Sequence, residues 1–262
     1  MTADLAPPAA SVVVPSFNQG EYLEQALKSI VSQRYPVELI VVDGGSTDGT
    51  RVILEAWQQR FKWWRSGPDS GQSAAINEGM AHSTAPFVAW LSSDDWYLPG
   101  GLDLMIDALN AHPDAPGVYA ESRNADATGR MGRRYFTQNF TKRNLSRRCI
   151  VSQPATLIRR NVWEALGGLD PELHYAMDYD LWWRIFCRFG PLVRIRREAA
   201  VNRVHRETKT QSARREQTLE AMRVVKRHLG WVSLKWYVAW PYSVWWKSFR
   251  HRVTRGIVAR RP

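Results

Sequence analysis

The chain has 262 residues, 44% of them hydrophobic and 23% charged, a balance that excludes wholesale disorder and allows one large domain or a domain with an appendage. Its two cysteines, Cys149 and Cys187, exclude a disulfide framework, and their spacing matches no zinc motif. The net charge of +11 is lopsided: from Arg188 onward there are 19 Lys/Arg against 4 Asp/Glu, and before it 17 against 21, so the basic third calls for an anionic partner such as phospholipid, nucleic acid or a diphosphate.

Along the chain, 11–17 (SVVVPSF) is a short apolar run closed by a turn, and reads as a strand. Residues 19–33 place Tyr22, Leu23, Ala26, Leu27, Ile30 and Val31 at helical spacing. Residues 37–43 (VELIVVD) are nearly all β-branched or apolar, the pattern of a strand buried on both faces. Ser46-Thr47-Asp48 offers N-cap chemistry to a helix carrying Val52, Ile53, Ala56 and Trp57. Strands are expected at Phe61–Ser66 and Phe87–Leu91, and helices at Ser73–His82 and Leu98–Ala111. This alternation predicts an α/β fold with a mainly parallel sheet.

The middle is less regular: a strand at 118–122 (VYAES), a hairpin around 130–136 (RMGRRYF), helices at 161–166 and 178–189, and an extended run over Arg196–His205. A basic helix is expected at 213–229. The N-terminus lacks a basic region followed by an apolar stretch, so no secretory signal is expected and the working part is expected in the cytoplasm.

In an open parallel sheet, ligands bind beyond the carboxyl ends of the strands. The first strand ends in Pro15-Ser16-Phe17-Asn18, the second in Asp43-Gly44-Gly45-Ser46, and the fourth in Ser92-Ser93-Asp94-Asp95. Each could be an ordinary polar turn, but a parallel sheet brings all three to one edge. There is no G-x-G-x-x-G after the first strand and no P-loop sequence. A nucleotide would then be held by carboxylates and a metal. Adjacent carboxylates repel, so Asp94-Asp95 suggests a bound Mg²⁺ or Mn²⁺ whose shell is completed by diphosphate oxygens.

Residues 11–50 (SVVVPSFNQGEYLEQALKSIVSQRYPVELIVVDGGSTDGT), 69–102 (DSGQSAAINEGMAHSTAPFVAWLSSDDWYLPGGL) and 152–185 (SQPATLIRRNVWEALGGLDPELHYAMDYDLWWRI) together resemble the family-2 glycosyltransferases, which have the GT-A fold. The resemblance implies a Rossmann-related sheet with flanking helices over residues 1–210, with a nucleotide-sugar half at about 8–115 and an acceptor half at about 116–210. It further implies that Asp43 contacts the base or ribose of a nucleoside diphosphate sugar. Pro15, Ser16, Phe17, Asn18 and Gly44 would shape the nucleoside pocket, and Asp69, Gln72 and Asn77 would line the donor side. Ser93-Asp94-Asp95 stands at the family's D-x-D-like position, with Ser in place of the leading Asp. Asp95 would bind the metal and Asp94 would face the ribose or donor sugar. Asp178 stands at the catalytic base, although the family's preceding Glu is Met177 here. Asp180 is the alternative base; on a helix opening at Asp178 it would sit in the first turn and favour the dipole. His205, with Lys209 nearby, would contact the diphosphate or the metal.

Residues 229–246 (LGWVSLKWYVAWPYSVWW) hold five of the 13 Trp and precede another basic run. The stretch carries Lys235 and Pro241, which suits a membrane interface better than a span. A helix docked on the domain is the other reading; no motif supports nucleic-acid binding. Residues 211–262 are therefore expected to form a basic, aromatic helical extension. The expected function is inverting, metal-dependent transfer from a nucleoside diphosphate sugar, UDP by default, to a saccharide or lipid-linked acceptor in surface polysaccharide synthesis. The site would lie at the inner face of the cell membrane. The alternative is a non-catalytic nucleotide-sugar-binding or membrane-associated scaffold.

Overall fold

The computed structural model describes residues 6–135, 137–205 and 213–240. Lys209 and the stretch from Pro241 onward lie outside the described residues. The first half runs β1 (Ala10–Ser16), α1 (Gly20–Val31), β2 (Val37–Asp43), α2 (Thr50–Trp57), β3 (Trp63–Ser66), α3 (Gln72–Ala81), β4 (Phe87–Trp90), β5 (Trp96–Tyr97) and α4 (Gly101–Ala111). The second half adds β6 (Gly117–Ala125), β7 (Met131–Arg134), α5 (Lys142–Leu145), β8 (Thr156–Arg159), α6 (Arg160–Leu166), α7 (Met177–Phe189), β9 (Val193–Arg203), α8 (Arg214–Leu229) and α9 (Leu234–Trp240).

Among the described residues, nine strands form one sheet in the order β3-β2-β1-β4-β8-β6-β9-β5, with β7 paired to β6. The four strands β3-β2-β1-β4 are parallel, as the alternating pattern predicts. Beyond them the sheet is mixed: β8 is antiparallel to β4 and to β6, while β9 runs parallel to β6. Helices cover both faces, which is why the strand sequences are apolar throughout. On one face Val13, Ile40 and Val42 meet residues of α3, α6 and α7; on the other, Val12, Val14, Leu39 and Val41 meet α1 and α4. That division is the two-residue period of a strand.

Two features fix how the parallel strands pack. A Cβ on Gly79 would lie 2.5 Å from Val13 Cγ1, so α3 rests directly on β1 only because that residue is glycine. At the end away from the carboxyl edge, buried Glu38 accepts from Ser11 Oγ at 2.6 Å and from the Thr84 and Ala85 amides at 2.8 and 3.2 Å. Burial pushes its pKa up, but these hydrogen bonds outweigh that and hold it below the usual carboxylate range.

The chain beyond 210 begins with a helix that is integral to the packing. In α8, Ala221, Val224 and Val225 join the same apolar cluster as Leu181, Trp182 and Trp183 of α7. Asp180, 1% exposed, accepts from Arg184 Nε at 2.7 Å and pairs with His228 Nε2 of α8 at 2.9 Å. The His228 ring stacks on Trp183 with centroids 5.8 Å apart. Trp236 of α9 donates from Nε1 to the Ser146 carbonyl at 2.9 Å. Among the described residues, no helix is long and apolar enough to cross a membrane.

Burial alone would raise the pKa of Asp180, but the His228 hydrogen bond and the Arg184 charge prevail and hold it below the usual range. Asp180→Asn is expected to cost about 3 kcal/mol in urea unfolding at pH 7, because His228 and Arg184 lose a buried counter-charge. The folded carboxylate has the lower pKa, so its stabilisation is present above the unfolded value of about 3.9 and is lost as pH falls through the folded value. The gap between wild type and variant should therefore close in acid.

Candidate active site

The loops after β1 and β2 lock each other. Asn18 takes a left-handed conformation, φ 51°, which Asn tolerates better than most residues. Its Oδ1 accepts from the Thr47 amide at 2.8 Å, and its own amide donates to Ser46 Oγ at 2.7 Å. Asp43, fully buried, accepts from the Ser46 amide at 3.0 Å, from Ser66 Oγ at 2.6 Å and from Ser46 Oγ. Its carboxylate thus ties the loop after β2 to the end of β3. Asp48 accepts from the amides of Gly20 and Thr50, both at 2.9 Å, and so ties α1 to α2. Much of the D-G-G-S-T-D run is a loop-locking device.

Alongside, Pro15 and Ser16 end β1 in register with Val42 and Asp43. Ser16 Oγ is buried with no hydrogen-bond partner among the described residues, a polar atom left for a ligand. Phe17 is 61% exposed at the rim. A Cβ on Gly44 would lie 2.9 Å from Asp69 Oδ2 and 3.2 Å from Phe17 Cδ2, so both side chains close over bare backbone. Asp69 is held by the Gly71 amide at 2.7 Å. Gln72 Nε2 reaches Ser92 Oγ at 3.4 Å. Asn77 binds the Leu169 backbone with both ends of its amide, each at 2.8 Å, and so fixes the acceptor-side segment to α3. Ser93 is buried and donates to Gln19 Oε1 at 2.7 Å.

Asp94 and Asp95 follow β4, 6% and 8% exposed. Asp95 Oδ1 accepts the Arg203 amide at 2.8 Å, and Asp94 Oδ2 lies 2.9 Å from His205 Nε2. Buried Arg203 donates from Nε to the Asp94 carbonyl at 3.0 Å. Its guanidinium lies between Tyr22 and Trp96, 4.4 and 4.6 Å from the ring centroids. Burial, and then the Asp94 charge, push the Asp95 pKa well above the usual range against the pull of Arg203. A divalent cation would relieve that cost, and the carboxylate oxygens of the pair suit Mg²⁺ or Mn²⁺. Among the described residues no group of three or more His, Cys, Asp or Glu forms a metal site.

Asp178 stands in the first turn of α7, half-buried. Its neighbour Met177 receives the Ser73 hydroxyl on Sδ at 2.8 Å, which seats the α7 start against the start of α3. Gln72, the residue before Ser73, reaches the strand end that carries Asp94 and Asp95. The start of α7 and the loop after β4 thus both touch the first residues of α3. Burial raises the Asp178 pKa to about 6, opposed by the Tyr179 amide and reinforced by Glu220. Cys149 and Tyr135 also face it, and burial pushes both of their pKa values up. Asp180, the alternative base, is spent on Arg184 and His228.

Two residues of the site carried no motif. Arg203 sits in a strand where a cation looks solvent-facing, and only its apolar neighbours Ala200 and Val201 hint at burial. Glu220 of α8 is 3% exposed and accepts from the amides of Tyr175 and Ala176, both at 2.7 Å. It caps the helix that carries Asp178, whose own N-cap, Ala176, has no capping side chain. Its signal was an acid on the apolar face of a basic helix, one position before Ala221.

The model of the glycosyl transferase family 2 matches residues 11–167. The chain belongs to glycosyltransferase family 2. An uncharacterised glycosyltransferase of Rickettsia typhi is 27% identical over 217 residues, 79% of this chain and 67% of that protein. One of Mycobacterium tuberculosis is 37% identical over 106 residues, 40% of each. S. aureus TarS 1–349 in complex with UDP-GlcNAc superposes with a TM-score of 0.67 at 19% identity, over 84% of this chain and 66% of that one. Mannosyltransferase PcManGT from Pyrobaculum calidifontis, in complex with GDP-Man and Mn²⁺, gives 0.63 at 20% identity, over 87% and 66%. The chain therefore spans about two thirds of these lengths or less, and shares their fold.

In this family-2 chain, Glu220→Gln keeps an oxygen for the two amides while removing a charge that raises the Asp178 pKa. The acid limb of the pH–rate profile should move to lower pH with donor KM unchanged. Glu220→Ala should in addition lower stability by about 1–2 kcal/mol, the usual loss of a cap.

Proposed function

We propose that the chain is an inverting, metal-dependent glycosyltransferase. It moves a sugar from a nucleoside diphosphate sugar, UDP-linked by default, to a saccharide or lipid-linked saccharide in cell-surface polysaccharide synthesis. The observation that carries this is the Asp178 carboxylate, whose pKa burial raises to about 6, on a helix whose first residue, Met177, takes the Ser73 hydroxyl next to Gln72, which in turn reaches Ser92 before Asp94 and Asp95. Family membership supports it, as do the UDP-GlcNAc and GDP-Man complexes of the similar folds.

The donor would lie at the carboxyl edge of the sheet near Asp43, against Ser16, Phe17, Gly44 and Asp69. Asp95, with His205 and Asp94 beside it, would hold the divalent ion, which when bound supplies Lewis-acid stabilisation of charge on the leaving diphosphate. Asp178 is ionised at neutral pH yet still basic enough to take the proton of the acceptor hydroxyl. A double displacement needs a second carboxylate as nucleophile. Asp180 is ion-paired and Glu220 caps α7, so a single displacement with inversion is the step these residues support. The membrane assignment rests on the basic, aromatic composition after Leu229. The catalytic boundary near residue 210 stays a proposal beside the docking of α8 on α7.

A non-catalytic donor-binding scaffold is the second reading, motivated by Ser93 and Met177 standing where the family carries carboxylates. Both side chains make structural hydrogen bonds, to Gln19 and from Ser73. Donor binding without turnover across donors and acceptors would favour it.

A thermal-shift screen of nucleotide sugars with and without Mn²⁺, followed by transfer assays, tests the assignment. Asp95→Asn should abolish the Mn²⁺-dependent shift and most transfer; wild-type turnover would remove the metal role. Asp178→Asn should lower kcat by roughly 10²–10⁴ and leave the donor shift intact. Equal loss of donor binding would instead make Asp178 a donor-side residue.

A further inference from the structure

Two long stretches of the chain contain no acidic residue: 127–163, between Asp126 and Glu164, and everything after Glu220. They are far apart in sequence, yet the described part of the second, up to α9, packs against the first. Trp236 of α9 donates to the Ser146 carbonyl just after α5, and its ring lies 6.3 Å from that of Tyr179. Lys142, Arg143 and Arg147 of the α5 region, with Leu229 and Trp231, line a shallow depression of about 410 Å³ at the junction.

The outer side of this junction is apolar where a soluble surface would be polar. Leu234 is 74% exposed, Val238 71%, Trp231 57% and Tyr237 55%. Leu234, Tyr237 and Val238 share one face of α9 by their i, i+3, i+4 spacing, while Trp236 turns inward to Ser146 and Tyr179. Four exposed apolar side chains, one of them, Trp231, lining the depression with Lys142, Arg143 and Arg147, lie on segments without a carboxylate and form a patch of the kind that marks an interaction site.

We infer that α5, its following turn and the exposed face of α9 form one amphipathic surface that docks on an anionic phospholipid bilayer. Aromatic and aliphatic groups at that boundary enter the headgroup region while the cations meet lipid phosphates. Charge complementarity selects the occupant. The aliphatic pair Leu234 and Val238 argues against nucleic acid, whose partners stack bases on aromatic rings. The surface abuts the catalytic helix, because the Tyr179 hydroxyl donates to the Leu145 carbonyl of α5 and Tyr179 follows Asp178. A lipid-linked acceptor would then reach Asp178 from the bilayer side. That consequence rests on the proposed transferase activity, whereas the docking itself does not.

The test is sedimentation of the full chain with vesicles of phosphatidylcholine alone or mixed with phosphatidylglycerol. Wild type should bind the mixed vesicles and bind them less at high salt. Combining Lys142→Gln, Arg143→Gln and Arg147→Gln should weaken binding about 10²-fold, since each cation near the surface contributes roughly a factor of five. Leu234→Ser with Val238→Ser, on exposed positions that leave the fold intact, should weaken the part that persists in high salt. Donor-induced thermal shifts should match wild type in both variants. Wild-type vesicle affinity in both variants would overturn the surface and move the contact to 241–262. A chain that ignores anionic vesicles, or prefers a single-stranded oligonucleotide to them, would overturn it as well. Vesicle binding without any transfer activity would refute the proposed function and leave the surface standing.

Discussion

Two consecutive carboxylates, Asp94 and Asp95, are buried at the end of β4, and the elements around them are arranged to make that placement tolerable. Without compensation, paired buried charges would shift their pKa values and take up protons. Strand β9 returns alongside β6 and delivers the Arg203 amide to Asp95 and the Arg203 guanidinium to the Asp94 backbone. Tyr22 of α1 and Trp96 of β5 close over that guanidinium. Elements from both halves of the chain thus converge on one acidic corner. The residual cost, expressed in the raised Asp95 pKa, is what a bound cation would relieve.

The same economy shapes the acceptor side. Asp178 is kept basic by burial and by the nearby Glu220 carboxylate, which caps the helix beneath it. Asp180, two residues on, is held ionised by Arg184 and His228. Two carboxylates in one helical turn are thereby pushed in opposite directions, the separation expected when one does proton chemistry and the other holds structure. Because Glu220, His228 and the apolar face of α8 reach α7, a helix beyond residue 210 supports the residue expected to be the base.

The parallel half of the fold was legible because its strands are short, β-branched and followed by polar turns. Residues 11–17 and 37–43 became β1 and β2 nearly as read, and the carboxyl-edge rule collected Ser16, Asp43 and Asp94-Asp95 correctly. Less legible was what each polar group does once there. Asp43 and Asp48 look alike in sequence, and only the folded loop shows both consumed by hydrogen bonds. The mixed half was harder: β8 is four residues long, and its antiparallel insertion between β4 and β6 is a long-range choice that no local pattern encodes. Arg203 and Glu220 escaped because a buried charge is recognisable only through partners distant in sequence.

On the proposed reading, Asp178 takes the proton of the acceptor hydroxyl as that oxygen displaces the diphosphate in one step from a donor held at the carboxyl edge of the sheet. Proton NMR of the first-formed product, made from an α-linked nucleoside diphosphate sugar, tests it most directly through the coupling of the new anomeric proton. The account predicts a β-linked product from the earliest time point. An α-linked product would mean retention, a second participating group, and a mechanism different from the one these residues support.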